Sequence, residues 1–533
     1  MQDSSQYSKS DNLRLRRFLY ATVSGYTHLV ANVLYVLASV PLALHFLQKR
    51  EFGLWAVVTQ LGGYLQLVDI GMSASLSRHL VDHKDNRHTG EYGGIIRTGG
   101  LVLLAQGFLV LLGGVVLVLC GTRYLHIDSD LESAFKVVMF WQCAIIAADF
   151  PARLFFHILL ANQRLDVVNW SQIASFFLSF VTLWFCLANG VGVFSVVWAN
   201  LANWLLAVTI SGAACLKFNL LPSRVEWGRA TWAKFKELFK FGKDVFWIAL
   251  GNQMISASQA IIVTRILGLS SAATWSVCTR SYTLANQIVW RPFDSSTSAL
   301  SEMVARSEND RLERRFQGLV TLTVSFSVVA AAIFGLCNQP FVFLWTHGRV
   351  GWSRENDVLL AIWLVVSAVV HCLSSLPLML KQIRFMRYIY FIEGAAFLGI
   401  GTLAASRYGF AGMLTTSIFC SMIFSCSYCI WRTLREFDLN LTEFFLRWLG
   451  PSAKVFAVLA LVSPFLYLAS ESLSAKLQFL IYSVAIGTIG TSCVLTFGLG
   501  RDLRKELLTR GLGAVSRCFK TIFRVCVRFR RCG

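Results

Sequence analysis

Apolar residues in this chain gather into fourteen runs, each about the length a helix needs to cross a hydrocarbon core. They lie near 18–47, 52–80, 98–121, 133–160, 168–188, 191–216, 245–267, 272–301, 316–336, 358–380, 388–405, 410–431, 455–469 and 477–499. Polar positions inside four of these runs keep helical spacing. The first carries Ser24, His28, Asn32, Tyr35 and Ser39, and the second Thr59, Gly62, Gln66, Asp69, Ser73 and Ser77. The seventh carries Asn252, Ser256 and Gln259, and the eighth Arg280, Gln287, Arg291, Asp294 and Ser298. Stripes of this width are prohibitive against lipid, so they face a hydrated interior or bond neighbouring helices. The expectation is an all-α, polytopic membrane protein.

The striped helices are the first two of each half of an internal repeat. At an offset of 220, Asn32 meets Asn252, Leu47 meets Leu267, and Trp55-Ala-Val-Val-Thr-Gln meets Trp275-Ser-Val-Cys-Thr-Arg. The fourth run of each half also holds a proline, Pro151 and Pro377. This predicts a first lobe of six spans over 1–217, a linker at 218–243, and a second lobe over 244–432. Two further spans over 433–499 and a basic tail at 500–533 complete the plan. Parallel repeats of this kind bind substrate between the lobes.

Charge then sets the expected orientation. Of 49 Lys and Arg, eight lie in or beside odd-numbered loops: Lys49, Arg50, Arg123, Arg265, Arg349, Arg354, Arg407 and Lys476. Another five lie within or at the edge of the runs (Lys136, Arg153, Arg280, Arg291, Lys454), and the rest, with Arg78 at the end of the second run, mark the N-terminus, the even-numbered connections and the tail. The positive-inside rule puts both termini on the cytoplasmic side of an inner membrane. The first run has no small-residue cleavage site and is expected to stay as a helix. The net charge of +20 thus reflects topology and anionic membrane lipids, and no nucleic acid is expected as a partner. Linker residues from Trp227 alternate aromatics with cations and predict an amphipathic helix on the inner leaflet, and the tail predicts a second.

Charges inside spans are costly, about 2.5–3.5 kcal/mol each at a helix centre, which makes them candidates for function. Arg153, Arg280 and Arg291 are the candidate anion-binding residues, and Asn32, Gln66, Asn252 and Gln287 the candidate polar lining. Asp149 with Arg153 (i,i+4) and Arg291 with Asp294 (i,i+3) also fit self-neutralising pairs. Asp69, Asp149 and Glu393 are candidate ion-coupling groups, although capping of a helix end competes for Asp69. The sequence has no HExxH and no GxxxxGK[ST], so neither a catalytic centre nor an ATP site is expected. Cys426-x-x-Cys429 lies mid-helix without a second ligand pair, as ordinary thiols rather than a metal site. No cofactor is implied.

The segments Glu51-Phe-Gly-Leu-Trp and Tyr64-Leu-Gln-Leu-Val-Asp-Ile-Gly-Met-Ser-Ala-Ser-Leu-Ser-Arg resemble the second helix of bacterial polysaccharide flippases. These O-antigen and exopolysaccharide exporters belong to the multidrug/oligosaccharidyl-lipid/polysaccharide (MOP) superfamily. Phe52 stands where that family has Tyr, and Asp69-Ile-Gly71 supplies its L-x-D-x-G element. The resemblance implies a MATE-like fold and an oligosaccharide on undecaprenyl diphosphate as substrate, flipped to the outer leaflet by alternating access. With no ATP site, a proton or sodium gradient is the expected drive, and a polysaccharide polymerase or chain-length regulator is an expected partner. Guanidinium groups suit phosphate or acidic sugar. The alternatives are an ion-coupled multidrug exporter of the same superfamily and, further off, a membrane acyltransferase or ligase.

Overall fold

The computed structural model describes residues 24–498 except 26, 70, 84–88, 126, 163, 224–225, 295, 298–299, 301–302, 305, 381 and 471, and the side chains of 74, 82 and 241–245. The predicted tail at 500–533, the first residues of the opening run and Ser298 lie outside the described residues. The described residues form helices and no strand. In order these are α1 (Thr27–Phe46), α2 (Lys49–Leu65), α3 (Met72–His83), α4 (Glu91–Leu125), α5 (Ser129–Ala161), α6 (Leu165–Ala188) and α7 (Ser195–Lys217). There follow α8 (Trp232–Ser256), α9 (Ser258–Leu267), α10 (Leu269–Cys278), α11 (Arg280–Asp294), α12 (Asn309–Trp345) and α13 (Arg354–Met379). The last are α14 (Arg384–Ser421), α15 (Ser427–Glu436), α16 (Gly450–Ser470) and α17 (Ala475–Cys493).

Among the described residues, eleven helical stretches are long and apolar enough to cross a membrane. One of them, Arg384–Glu436, carries two predicted runs. Gly409 breaks it at φ 59° and ψ −138°, where the sequence places the connection 406–409. The predicted second and eighth runs are each interrupted and so fall below the length of a single spanning helix. The helices are thus consistent with fourteen crossings.

The break in the second run shows how a membrane helix stops midway. After α2 the chain takes a short 3-10 turn, Gln66–Asp69, and Gly71 adopts φ 68°, a conformation that favours glycine. Asp69 then caps α3. Its carboxylate accepts the Ser73 N–H at 3.2 Å and the Ser73 hydroxyl at 2.6 Å. The Gln106 amide donates to the freed carbonyls of Val68 (2.9 Å) and Asp69 (2.7 Å). Interrupted backbone at membrane depth requires such satisfaction. The eighth run breaks more gently, at Thr279 between α10 and α11.

The linker differs from expectation. Residues 227–231 are not helical, and Trp232–Ser256 is one helix, so the aromatic and cationic stretch runs unbroken into the seventh span. Its start is docked on α4: Arg97 donates to the Gly228 carbonyl at 3.2 Å, and Lys234 pairs with Glu91 at 2.9 Å. Gly228 lies so close to the Gly90 carbonyl that a Cβ has no room. These polar anchors hold the segment against protein.

The chain divides into two compact units. The first comprises the described residues up to Thr279 with Trp345–Gly351 and Ile383–Ser417. Within it α4 and α5 pack along a stripe of glycines seven residues apart, from Gly100 to Gly121. A Cβ on Gly107 would lie 2.5 Å from the Ala147 carbonyl oxygen, and one on Gly114 2.6 Å from the Cys143 Cβ. Helices in lipid associate through such close approach. The second unit comprises Arg280–Leu344, Trp352–Gln382 and the described residues from Ile418. Phe293, Phe316, Leu376, Phe444 and Trp448 form one core there. Val328, Leu336, Val455, Leu459, Tyr482 and Ile486 form another, which seats α16 and α17 on α12.

Candidate functional site

The glycine seam fixes α5 against α4 and leaves the opposite side of α5 to line a cavity of about 570 Å³ in the first unit. α5 contributes Asp149, Arg153 and His157 at successive turns, α6 contributes Ser171 and Gln172, and α7 contributes Asn200, Asn203 and Trp204. Gln66 and Ser73 enter from either side of the broken second run. The break matters because it lets the Gln66 side chain reach the guanidinium of Arg153.

Arg153 is held on three sides. Its Nε donates to Asp149 Oδ2 at 2.8 Å, its Nη2 donates to Gln66 Oε1, and the Phe150 ring centroid lies 4.3 Å beneath it. The Arg153 and Asp149 side chains are 21% and 35% exposed, so the pair faces the cavity and is not sealed in the core. One turn on, buried His157 bonds through Nδ1 to the Ser77 hydroxyl at 2.7 Å. Asn200 donates to Gln142 at 2.9 Å. The buried indole nitrogen of Trp204 and His157 Nε2 bond to no described group. The cavity therefore offers one positioned cation, one carboxylate, several amides and hydroxyls, and an indole donor. That set suits an anion and the hydroxyls of a polar ligand.

The remaining predicted residues lie apart from this cluster. The polar stripe of α1 largely bonds α6: Ser24 accepts from Asn169 at 3.0 Å, Tyr35 meets the Ser179 hydroxyl at 3.1 Å, and His28 and Tyr35 stack on Phe176. Asn32 sits half-buried among them. The seventh stripe is split where α8 gives way to α9, leaving Asn252 exposed and Gln259 buried. Asp69 is a helix cap. Glu393 is 2% exposed and engaged within the protein, on the part of α14 that packs against α8 through Gly394 and Gly251.

In the second unit, Arg280, Gln287 and Arg291 all lie on α11. Arg280 is half-buried and interacts with other groups of the protein. The expected Arg291–Asp294 pair does not form. Asp294 Oδ1 bonds His371 Nε2 of α13 at 2.7 Å instead. The His371 ring lies flat on Trp290, with centroids 4.2 Å apart and planes at 5°. Stacking on Trp290 carries the imidazole to Asp294, and Arg291 has no ion pair among the described residues. Sequence reasoning missed His371, since nothing along its own helix marks it. Among the described residues no group of three or more His, Cys, Asp or Glu is placed to hold a metal ion.

A family model described as "Polysaccharide biosynthesis protein" matches residues 18–304. No individually curated protein matches the sequence. Solved structures share the fold at low identity. An inward-facing multidrug-resistance MATE transporter of the MOP superfamily aligns with a TM-score of 0.65 and 12% identity, over 76% of this chain and 95% of its own. The lipid II flippase MurJ, in an inward closed conformation, aligns at 0.63 and 11%, over 90% and 98%. A MOP superfamily transporter from Pyrococcus furiosus, described as having a binding pocket of reversed polarity, aligns at 0.55 and 14%, over 79% and 95%.

Proposed function

Since this chain belongs to the polysaccharide biosynthesis protein family, we propose that it is a MOP-type exporter that flips an oligosaccharide carried on undecaprenyl diphosphate across the bacterial inner membrane. The product serves a surface polysaccharide: O-antigen, capsule or exopolysaccharide. The observation that carries this reading is Arg153, braced by Asp149 and Gln66 at the wall of a cavity otherwise lined by amides, hydroxyls and an indole. A guanidinium so held presents its remaining N–H groups to phosphate or to an acidic sugar. The neutral polar groups supply partners for glycan hydroxyls.

Transport proceeds by alternating access of two six-helix lobes, 1–217 and 244–432, with Arg280 and Arg291 contributing anion contacts from the second. Both termini face the cytoplasm. An ion gradient drives the cycle, and Asp149 is the favoured coupling group of the three predicted. Its carboxylate and the substrate anion compete for one guanidinium, whereas the oxygens of Asp69 are committed to a cap. Deleting the gene tests the reading. Lipid-linked oligosaccharide should accumulate on the inner leaflet and a surface glycan should disappear. Intact surface glycan with raised sensitivity to cationic dyes would instead favour multidrug export.

A further inference from the structure

A second cavity in the first unit, of about 490 Å³, has a different chemistry. Its deep end is closed by the hydrogen bond between the Tyr64 and Ser258 hydroxyls. Leu117 of α4, Ile262 of α9 and Leu398 of α14 form apolar walls. At the other end stand Tyr124 and Arg265, with the guanidinium over the phenol ring at 4.2 Å. At 1.5 Å of rise per residue, about 10 Å of helix separates Ser258 from Arg265. One leaflet of a ~30 Å hydrocarbon core is roughly 15 Å deep. The cleft is therefore a greasy slot most of one leaflet in depth, with a cation at its rim.

The charge balance at that rim is positive. Asp128 and Asp130, which follow α4, are bound by Arg50, and Glu132 is bound by Lys136 at 2.6 Å. Arg123 and Arg265 are exposed there, and Arg265 stands in the last turn of α9. A role confined to the α9 carbonyl end does not require a guanidinium laid across the mouth of an apolar cleft. We propose that this cleft holds one acyl chain of an anionic phospholipid, with the lipid phosphate on Arg265. By the charge bias of the loops this is the outer leaflet. A cleft of single-leaflet depth fits an acyl chain better than a long polyprenyl tail. Because α2, α4, α9 and α14 all line it, the lipid would brace the seam between helices from both halves of the sequence.

Native mass spectrometry of the full-length, detergent-purified protein tests this, with phosphatidylglycerol and phosphatidylcholine of matched chains offered together. Wild type should retain one phosphatidylglycerol in preference to phosphatidylcholine. Arg265→Gln, a change at an exposed side chain, should cut that preference roughly fivefold, the effect of one cation near a headgroup. Arg265→Lys should keep most of it. Leu398→Trp should fill the slot and remove the bound lipid of either class. Equal retention of the two lipids by wild type would overturn the proposal, as would a preference untouched by Arg265→Gln. Displacement of phosphatidylglycerol by an equal mole fraction of undecaprenyl phosphate would also overturn it, by assigning the slot to the substrate's tail.

Discussion

Asp149 and an incoming anion cannot both own Arg153, and that competition has a measurable sign. Replacing Asp149 with Asn removes the carboxylate now 2.8 Å from Arg153 Nε while keeping a side chain of the same size. Two unit charges about 4 Å apart are worth ~1 kcal/mol in water and ~4 kcal/mol at an effective dielectric near 20. With the side chains 21% and 35% exposed, screening brings the pair toward the lower figure, about 1 kcal/mol. Asp149→Asn should therefore strengthen anion binding about fivefold, even as it impairs coupled transport. Arg153→Ala should act in the opposite direction. It removes a charge-assisted contact worth roughly 1.5–3 kcal/mol, which is about a 10- to 150-fold loss. Arg153→Lys should fall between, because it keeps the charge without the fork. Calorimetric titration of the detergent-purified protein with undecaprenyl diphosphate reads all three. Equal weakening by Asp149→Asn and Arg153→Ala would refute the reasoning, since it would make the pair a structural clamp and not an anion site.

Three further outcomes are expected. Arg280→Ala should abolish surface glycan at normal protein abundance and Lys should rescue it partly, as scored by glycan staining and immunoblot; loss of the protein itself would assign Arg280 to packing. Gly107→Ala should destabilise the α4–α5 seam by about 1–3 kcal/mol, because the new Cβ meets the backbone oxygen of Ala147, whereas Gly100→Ala should be tolerated; thermal unfolding followed by tryptophan fluorescence compares them. In a Cys-less background, a cysteine at Gly348 should react with an impermeant thiol reagent from outside and one at Arg229 should not, and the reverse pattern would invert the topology.

Much of the architecture was legible because a bilayer leaves few choices: apolar runs become helices, and short polar gaps become turns. The connection at 406–409 was visible in this way, and Gly409 supplies the break. The interruption of the second run was less visible. It depends on Gln106, a residue 37 positions away that satisfies the freed carbonyls. The linker helix begins at Trp232 and not at Trp227, and it continues into the seventh span. Gly228 and Lys234 dock its start on α4, through contacts that no local pattern encodes. At the site, Asp149 with Arg153 was readable from i,i+4 spacing, but the Gln66 contact required the fold. Arg291 with Asp294 had equally good spacing and failed, since His371 from another helix took the carboxylate. The glycines at intervals of seven on α4 were present in the sequence and give the clearest signal left unread.

The central claim, that this chain moves a lipid-linked oligosaccharide, is met most directly in proteoliposomes of the purified protein. Undecaprenyl-diphosphate oligosaccharide is loaded in both leaflets, and a membrane-impermeant glycosidase is added outside. With an ion gradient imposed, glycan from the inner leaflet should become cleavable on top of the outer-leaflet half. Arg153→Ala vesicles should stay at that half. Cleavage in wild-type vesicles that never exceeds the protein-free level, under either a proton or a sodium gradient, would contradict the account.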